Sequence, residues 1–224
     1  MLQVLYFGLP FALLASPLLL ALFKRLHLKQ FSPAPRIALW VAAAVVVGIA
    51  ATNIGIWRTA LGLAWPTWQI VGLAVVAAVV LLLAIVASQY LLAKYRLLTP
   101  SPKQVELQEQ LVHSPFSHRF FVVVTAAVTE EVLYRGYAIG VGQHLFGSLW
   151  LACILSVAVF TLAHIRWGFA NLIPVFLATL VITLLFAFTK NLLACIIVHA
   201  ILDGLGQLVV PAIMARKRSA PATG

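Results

Sequence analysis

The chain has 224 residues, of which 63% are hydrophobic and only 9% charged, and its mean hydropathy is +1.08. Soluble domains run at about 25% charged and about 45–50% apolar, so the composition excludes a soluble globular fold and points to an all-α, polytopic transmembrane helical bundle. A net charge of +10 could suit nucleic acid, but the basic residues fall between apolar runs, as membrane topology requires; lipid is the expected partner and nucleic acid is not.

The first apolar run, Val4 to Phe23, is followed by Lys24, Arg25, His27 and Lys29. It has no basic segment before it and no small-residue cleavage site, so it reads as a span rather than a signal peptide. Ile37 to Trp57 is the second span and Trp68 to Leu92 the third, closed by Lys94 and Arg96. A polar stretch follows from Leu97 to Arg119, within which Val105 to Leu111 predicts a short interfacial helix with Glu106 and Glu109 on its polar side. Phe120 to Gly140 is the fourth span, Leu149 to Trp167 the fifth, Leu172 to Thr189 the sixth and Leu192 to Met214 the seventh. Only Lys190 and Asn191 separate the last two, which makes them antiparallel neighbours. The expectation is seven spans, or eight if 97–111 inserts. The chain then divides into N-terminal transmembrane helices over 1–96, a cytoplasmic amphipathic linker over 97–119, a catalytic transmembrane core over 120–214 and a disordered basic tail over 215–224.

Placing the N-terminus outside puts Lys24, Arg25, Lys29, Arg36, Lys94, Arg96, Lys103, Arg119, Arg166 and Arg216-Lys217-Arg218 on the cytoplasmic side. Arg58 and Lys190 are then the basic residues of the outside loops. That asymmetry obeys the positive-inside rule and predicts a multi-pass cell-membrane protein with a cytoplasmic C-terminus. Cys153 and Cys195 lie inside apolar spans and read as buried free thiols, silent about redox compartment.

The fourth span carries Glu130, Glu131 and Arg135. At about 1.5 Å rise per residue, the glutamates fall near the middle of a ~30 Å hydrocarbon core, where an ionised side chain costs roughly 2.5–3.5 kcal/mol on insertion scales. Glu131 and Arg135 are four apart and can pair on one face. Glu130 lies about 100° around from Glu131 and is left without a partner in its own helix. The fifth span has Phe160 and His164 four apart, and the seventh has His199 and Asp203 at the same spacing. The chain holds five acidic residues, and Glu130, Glu131 and Asp203 are the ones within spans. One polar cavity walled by spans four, five and seven accounts for the pattern.

In this order and spacing, Glu130-Glu131-x-x-x-Arg135, Phe160-x-x-x-His164 and His199-x-x-x-Asp203 resemble the three motifs of the CPBP family. These are intramembrane proteases related to the type II CAAX prenyl endopeptidases, also called the Abi family. The resemblance covers roughly residues 120 to 204; the first three spans match nothing beyond being hydrophobic. It implies hydrolysis of a peptide bond by water, with Glu130 as general base, His164 holding and polarising the water, and His199 and Asp203 stabilising the oxyanion. Glu131, Arg135 and Phe160 would support them. The family pattern takes Asn or Asp at the Asp203 position. Asn can donate to an oxyanion, whereas Asp donates only when protonated; otherwise Asp203 orients His199.

The resemblance implies no cofactor. The rival mechanism is a zinc-dependent intramembrane metalloprotease with Glu130, His164 and His199 as ligands, although the sequence has no His-Glu-x-x-His pair. Two non-hydrolytic readings stand beside it: a transporter relay, since intramembrane acids and histidines also mark ion paths, and an immunity-type binding scaffold. The expected substrate is a peptide or protein with a membrane-proximal or C-terminal cleavage site. Nothing in the sequence indicates a prenyl preference.

Overall fold

The computed structural model describes residues 2–26, 33–97, 102–165 and 169–219. In chain order the helices are α1 (Leu2–Arg25), α2 (Pro33–Asn53), the single turn α3 (Trp57–Ala60), α4 (Trp68–Lys94), α5 (Pro102–His113), α6 (Phe116–Glu131), α7 (Gly142–Phe146), α8 (Leu149–Ala163), α9 (Phe169–Thr189), α10 (Leu192–Gly204) and α11 (Val210–Ser219). Two π-helical segments interrupt this series, Val132–Val141 between α6 and α7, and Leu205–Val209 between α10 and α11. Among the described residues there is no strand.

Capping residues set several helix starts. Thr67, Ser148 and Asn191 each accept a bond from the backbone N–H three residues on, at Ile70, Leu151 and Ala194. Each supplies one of the acceptors that the open first turn of a helix lacks. Gly147, at φ 64°, ends α7 in the left-handed conformation that a glycine adopts without a Cβ clash.

Among the described residues, five stretches are long and apolar enough to cross a membrane: Gln3–Phe23, Pro33–Asn53, Trp68–Lys94, Leu172–Thr189 and Leu192–Met214. They correspond to predicted spans one, two, three, six and seven, and the architecture is a helical membrane bundle. The second ends at Asn53 rather than Trp57, because the chain turns at Gly55 and Trp57 opens α3 instead. The fifth predicted span is the 15-residue α8, which stops at Ala163; His164, at φ −94° and ψ 1°, leaves the helix. The predicted end at Trp167 lies outside the described residues. The fourth is α helix only as far as Glu131 and π helix beyond it. The helix predicted over Val105 to Leu111 is present as α5. The tail predicted disordered from 215 is helical as far as Ser219, because α11 continues the last span; 220–224 lie outside the described residues.

Large apolar side chains such as Phe7, Trp65, Trp68 and Leu83 point outward, while the buried faces of α1, α2 and α4 are rich in alanine: Ala12 and Ala15, Ala42 and Ala50, Ala74 and Ala78. Small residues let backbones approach where lipid gives no hydrophobic drive between helices. One apolar cluster joins α1, α2 and the first π segment through Leu9, Val46, Leu133 and Tyr137. A second joins α4, α9 and α10 through Leu81, Phe186 and Val198, and Ile139 of the same π segment belongs to it. The first π segment is thus shared by both clusters.

Candidate active site

Glu131 is fully buried at the end of α6, and one of its oxygens serves two partners. Arg135 Nη1 donates to Oε1 at 2.9 Å, and His199 Nδ1 from α10 lies 2.8 Å from the same atom. Facing a carboxylate, Nδ1 carries the proton, so the other ring nitrogen, Nε2, is the one available to the cavity. Arg135 Nη2 also donates to the Thr179 carbonyl of α9 at 3.3 Å. Its guanidinium stands 5.0 Å from the Phe160 ring centroid, a cation–π distance. Glu131 and Arg135 therefore tie α6, the π segment, α8, α9 and α10 together.

Glu130 is different. Its side chain lines the cavity, and it makes no hydrogen bond to any described residue. His199 and His164 lie close enough to interact with its charge. His164 follows the last turn of α8, where its ring stacks on Phe160 at 4.6 Å and its Nδ1 lies 2.8 Å from the Phe160 carbonyl oxygen. A carbonyl only accepts, so Nδ1 is the nitrogen that donates there and Nε2 is the one left for other partners. Phe160 in turn packs edge-on against Tyr134 at 4.8 Å. It fixes both the histidine and the arginine.

Asp203 lies one turn beyond His199, with His199 Nε2 3.8 Å from its Oδ2. Gln207 Nε2 donates to that same Oδ2 at 2.8 Å. All of these groups border one cavity of about 470 Å³. The predicted site residues Glu130, Glu131, Arg135, Phe160, His164, His199 and Asp203 are brought together without exception. The cavity has more walls than spans four, five and seven: α9 contributes Pro174, Val175, Ala178, Thr179 and Ile182, and α4 contributes Ile85. Those residues are apolar or lightly polar and carry no charge signal, so spacing arguments overlook them. Pro174 within α9, with Thr179 in the same helix, was the available clue. Among the described residues no three His, Cys, Asp or Glu side chains are arranged to hold a metal ion. Cys153 and Cys195 are free and buried.

Residues 113–205 match the family model described as type II CAAX prenyl endopeptidase Rce1-like. The segment is Rce1-like. It contains every predicted site residue from Glu130 to Asp203, and it excludes α1 to α4, as the motifs alone suggested. The UPF0177 protein YbdI of Lactococcus lactis subsp. lactis (strain IL1403) is 36% identical over 80 residues, which are 35% of this chain and 40% of that relative. The chain thus spans about two-fifths of the length of the curated relative it matches. No solved structure matches the chain. Gln207 and Ile85 line the cavity from outside the Rce1-like segment.

Proposed function

We propose that the chain is an intramembrane endopeptidase in which Glu130 and His164 activate a water molecule against a peptide bond. The observation that carries this is the unequal glutamate pair: Glu131 is held by Arg135 and His199, while Glu130 faces the cavity with no hydrogen bond to a described residue. A carboxylate held by no other side chain is free to take a proton from water. In the reaction, the water donates to the His164 Nε2 lone pair and passes a proton to Glu130 as its oxygen attacks the carbonyl carbon. The carbonyl π bond becomes an oxyanion. His199 Nε2–H and a protonated Asp203 donate to it, and preorganised donors of this kind are each worth about 10²–10³ in rate. Glu130 then returns the proton to the leaving nitrogen as the C–N bond breaks.

His199 donates from Nε2 while Nδ1–H serves Glu131, so its ring carries two protons in this scheme. Arg135 and His199 then balance Glu130 and Glu131, and Asp203 is neutral. The substrate is a peptide or protein cleaved at a membrane-proximal or C-terminal site. The reaction is proposed as metal-free, because no three candidate ligands converge among the described residues.

The test is hydrolysis of a panel of quenched fluorogenic membrane peptides by the purified protein in liposomes. Cleavage should survive exhaustive chelation, with no stoichiometric zinc in the preparation. Loss on chelation, restored by one metal equivalent, would transfer the mechanism to the zinc reading. Absence of cleavage across the panel, together with an unchanged membrane proteome in cells lacking the protein, would favour a transporter or scaffold.

A further inference from the structure

Asp203 has two oxygens in unequal surroundings. Oδ2 accepts from Gln207 Nε2 at 2.8 Å and faces His199 Nε2 at 3.8 Å, which is beyond hydrogen-bond reach. Oδ1 is bonded by no described residue. A Gln–Asp pair four apart also forms on exposed helices. Here both side chains border the cavity, and Gln207 makes the one hydrogen bond that Asp203 has among the described residues. Gln207 stands in the second π segment, two residues past the Rce1-like stretch.

We propose that Gln207 is a positioning residue whose amide fixes Asp203 Oδ2 as an acceptor, so that the carboxyl proton sits on Oδ1 and points at the oxyanion. The proposal rests on the endopeptidase reading. An amide N–H cannot donate to an oxygen that is already presenting its own proton along the same line. Gln207 therefore selects which Asp203 oxygen is the donor. The same logic governs Asp203→Asn: the Gln207 N–H selects the carbonyl oxygen of the new amide and leaves its NH₂ for the substrate. The charged or titratable groups facing Asp203 are His199 on its own helix, Glu130 and Glu131 from α6, and His164 after α8. The cavity-lining residues of α4 and α9 include none.

The experiment uses the full chain in liposomes with the fluorogenic peptide panel. Gln207→Met should lower kcat, by less than the roughly 10²–10³-fold that loss of an oxyanion donor itself costs, with KM changed less than about twofold. Asp203→Asn should keep most of kcat when Gln207 is present and lose it when Gln207→Met is added. Gln207→Glu should work at acid pH, where the new carboxyl group is protonated and donates, and should lose activity as that group ionises, a limb added to the one that Asp203 itself gives the wild type. Wild-type kcat in Gln207→Met, a change in KM alone, or a Gln207→Glu profile identical to wild type would each overturn the proposal. A second readout does not need turnover. The infrared difference between wild type and Asp203→Asn should contain a protonated-carboxyl band, and Gln207→Met or Gln207→Glu should shift it. No such band, or an unmoved one, overturns the Gln207 role. If no peptide is cleaved but the band is present and shifts, Gln207 positions Asp203 and it is the endopeptidase reading that falls. Should Gln207→Met fold poorly, the nearly isosteric Gln207→Glu carries both measurements.

Discussion

Glu130 and Glu131 are adjacent in the chain and about 100° apart around α6, and that angle separates their surroundings. Glu131 turns into the contact with Arg135 and His199; Glu130 turns into the cavity. Glu130→Gln should abolish turnover and leave thermal stability near wild type, because Gln cannot take the water's proton and Glu130 makes no hydrogen bond to a described residue. Glu131→Gln should unfold at distinctly lower temperature, since breaking a buried charge pair typically costs roughly 3–5 kcal/mol. Melting curves and rates measured on both variants check this, and two variants alike in both properties would refute the division. The pairing of Glu131 with Arg135 was legible from the spacing of four, because an unpaired charge in an apolar helix is too costly to be idle. The second partner, His199, was not. It comes from a helix 68 positions on, and no local rule connects those positions; the sequence pattern offered only Asp203, its neighbour at i+4.

At the scale of elements, the helix that bears the site is not uniform. From Val132 to Val141 it is wound as a π helix, a rare form that often marks functional sites. Side chains take up some of its carbonyls: Ser156 Oγ donates to Tyr134 O at 3.1 Å, and Gln143 Nε2 to Gly140 O at 3.1 Å. Two tyrosines of the segment reach back to α1, Tyr134 to the Leu13 carbonyl and Tyr137 to the Leu5 carbonyl. The segment is pressed against α3 at Gly140, where a Cβ would collide with the Ala60 carbonyl oxygen. Gly140→Ala should therefore destabilise the protein by about 1–3 kcal/mol, the usual range for overpacking. Gly48→Ala on α2, where a Cβ meets nothing within 4 Å, should be neutral or better. Thermal unfolding of the two side by side decides the matter, and equal melting temperatures would mean that α3 is not clamped there. Hydrophobic periodicity predicts a helix over this stretch and cannot predict its winding. Apolar patterning reports which residues are buried, whereas the hydrogen-bond register depends on the packing of Ala60 and Ser156 from elsewhere in the chain.

The whole molecule has two distinguishable ends. The connection between α2 and α4 meets the turn between α9 and α10: Leu192 N donates to Gly62 O at 2.9 Å, and Asn191 Nδ2 to Ala64 O at 2.9 Å. Lys190 Nζ reaches Gln143 Oε1 at 3.1 Å, which adds the start of α7 to the same end. Tyr6 and Leu5 near the start of α1 bond to Leu145 and Tyr137, so the beginning of the chain lies there too. Arg58 and Lys190, the two basic residues assigned outside by charge asymmetry, thus share one end with the N-terminal part of α1. At the other end, Arg119 at the start of α6 donates to Leu208 O at 3.3 Å, and α11 packs on α5. These contacts relate the two ends of the bundle to each other, while the membrane orientation follows from the charges alone. The expected arrangement has the α1 start and Arg58 outside and α11 in the cytoplasm. Single cysteines introduced as Arg58→Cys and Ser219→Cys, in a chain whose buried Cys153 and Cys195 are replaced, test it with an impermeant thiol reagent on intact cells. Arg58→Cys should label from outside, and Ser219→Cys only after the membrane is opened. Labelling of both from outside would break the two-ended arrangement, and the reverse pattern would keep the bundle but invert it, overturning the positive-inside assignment.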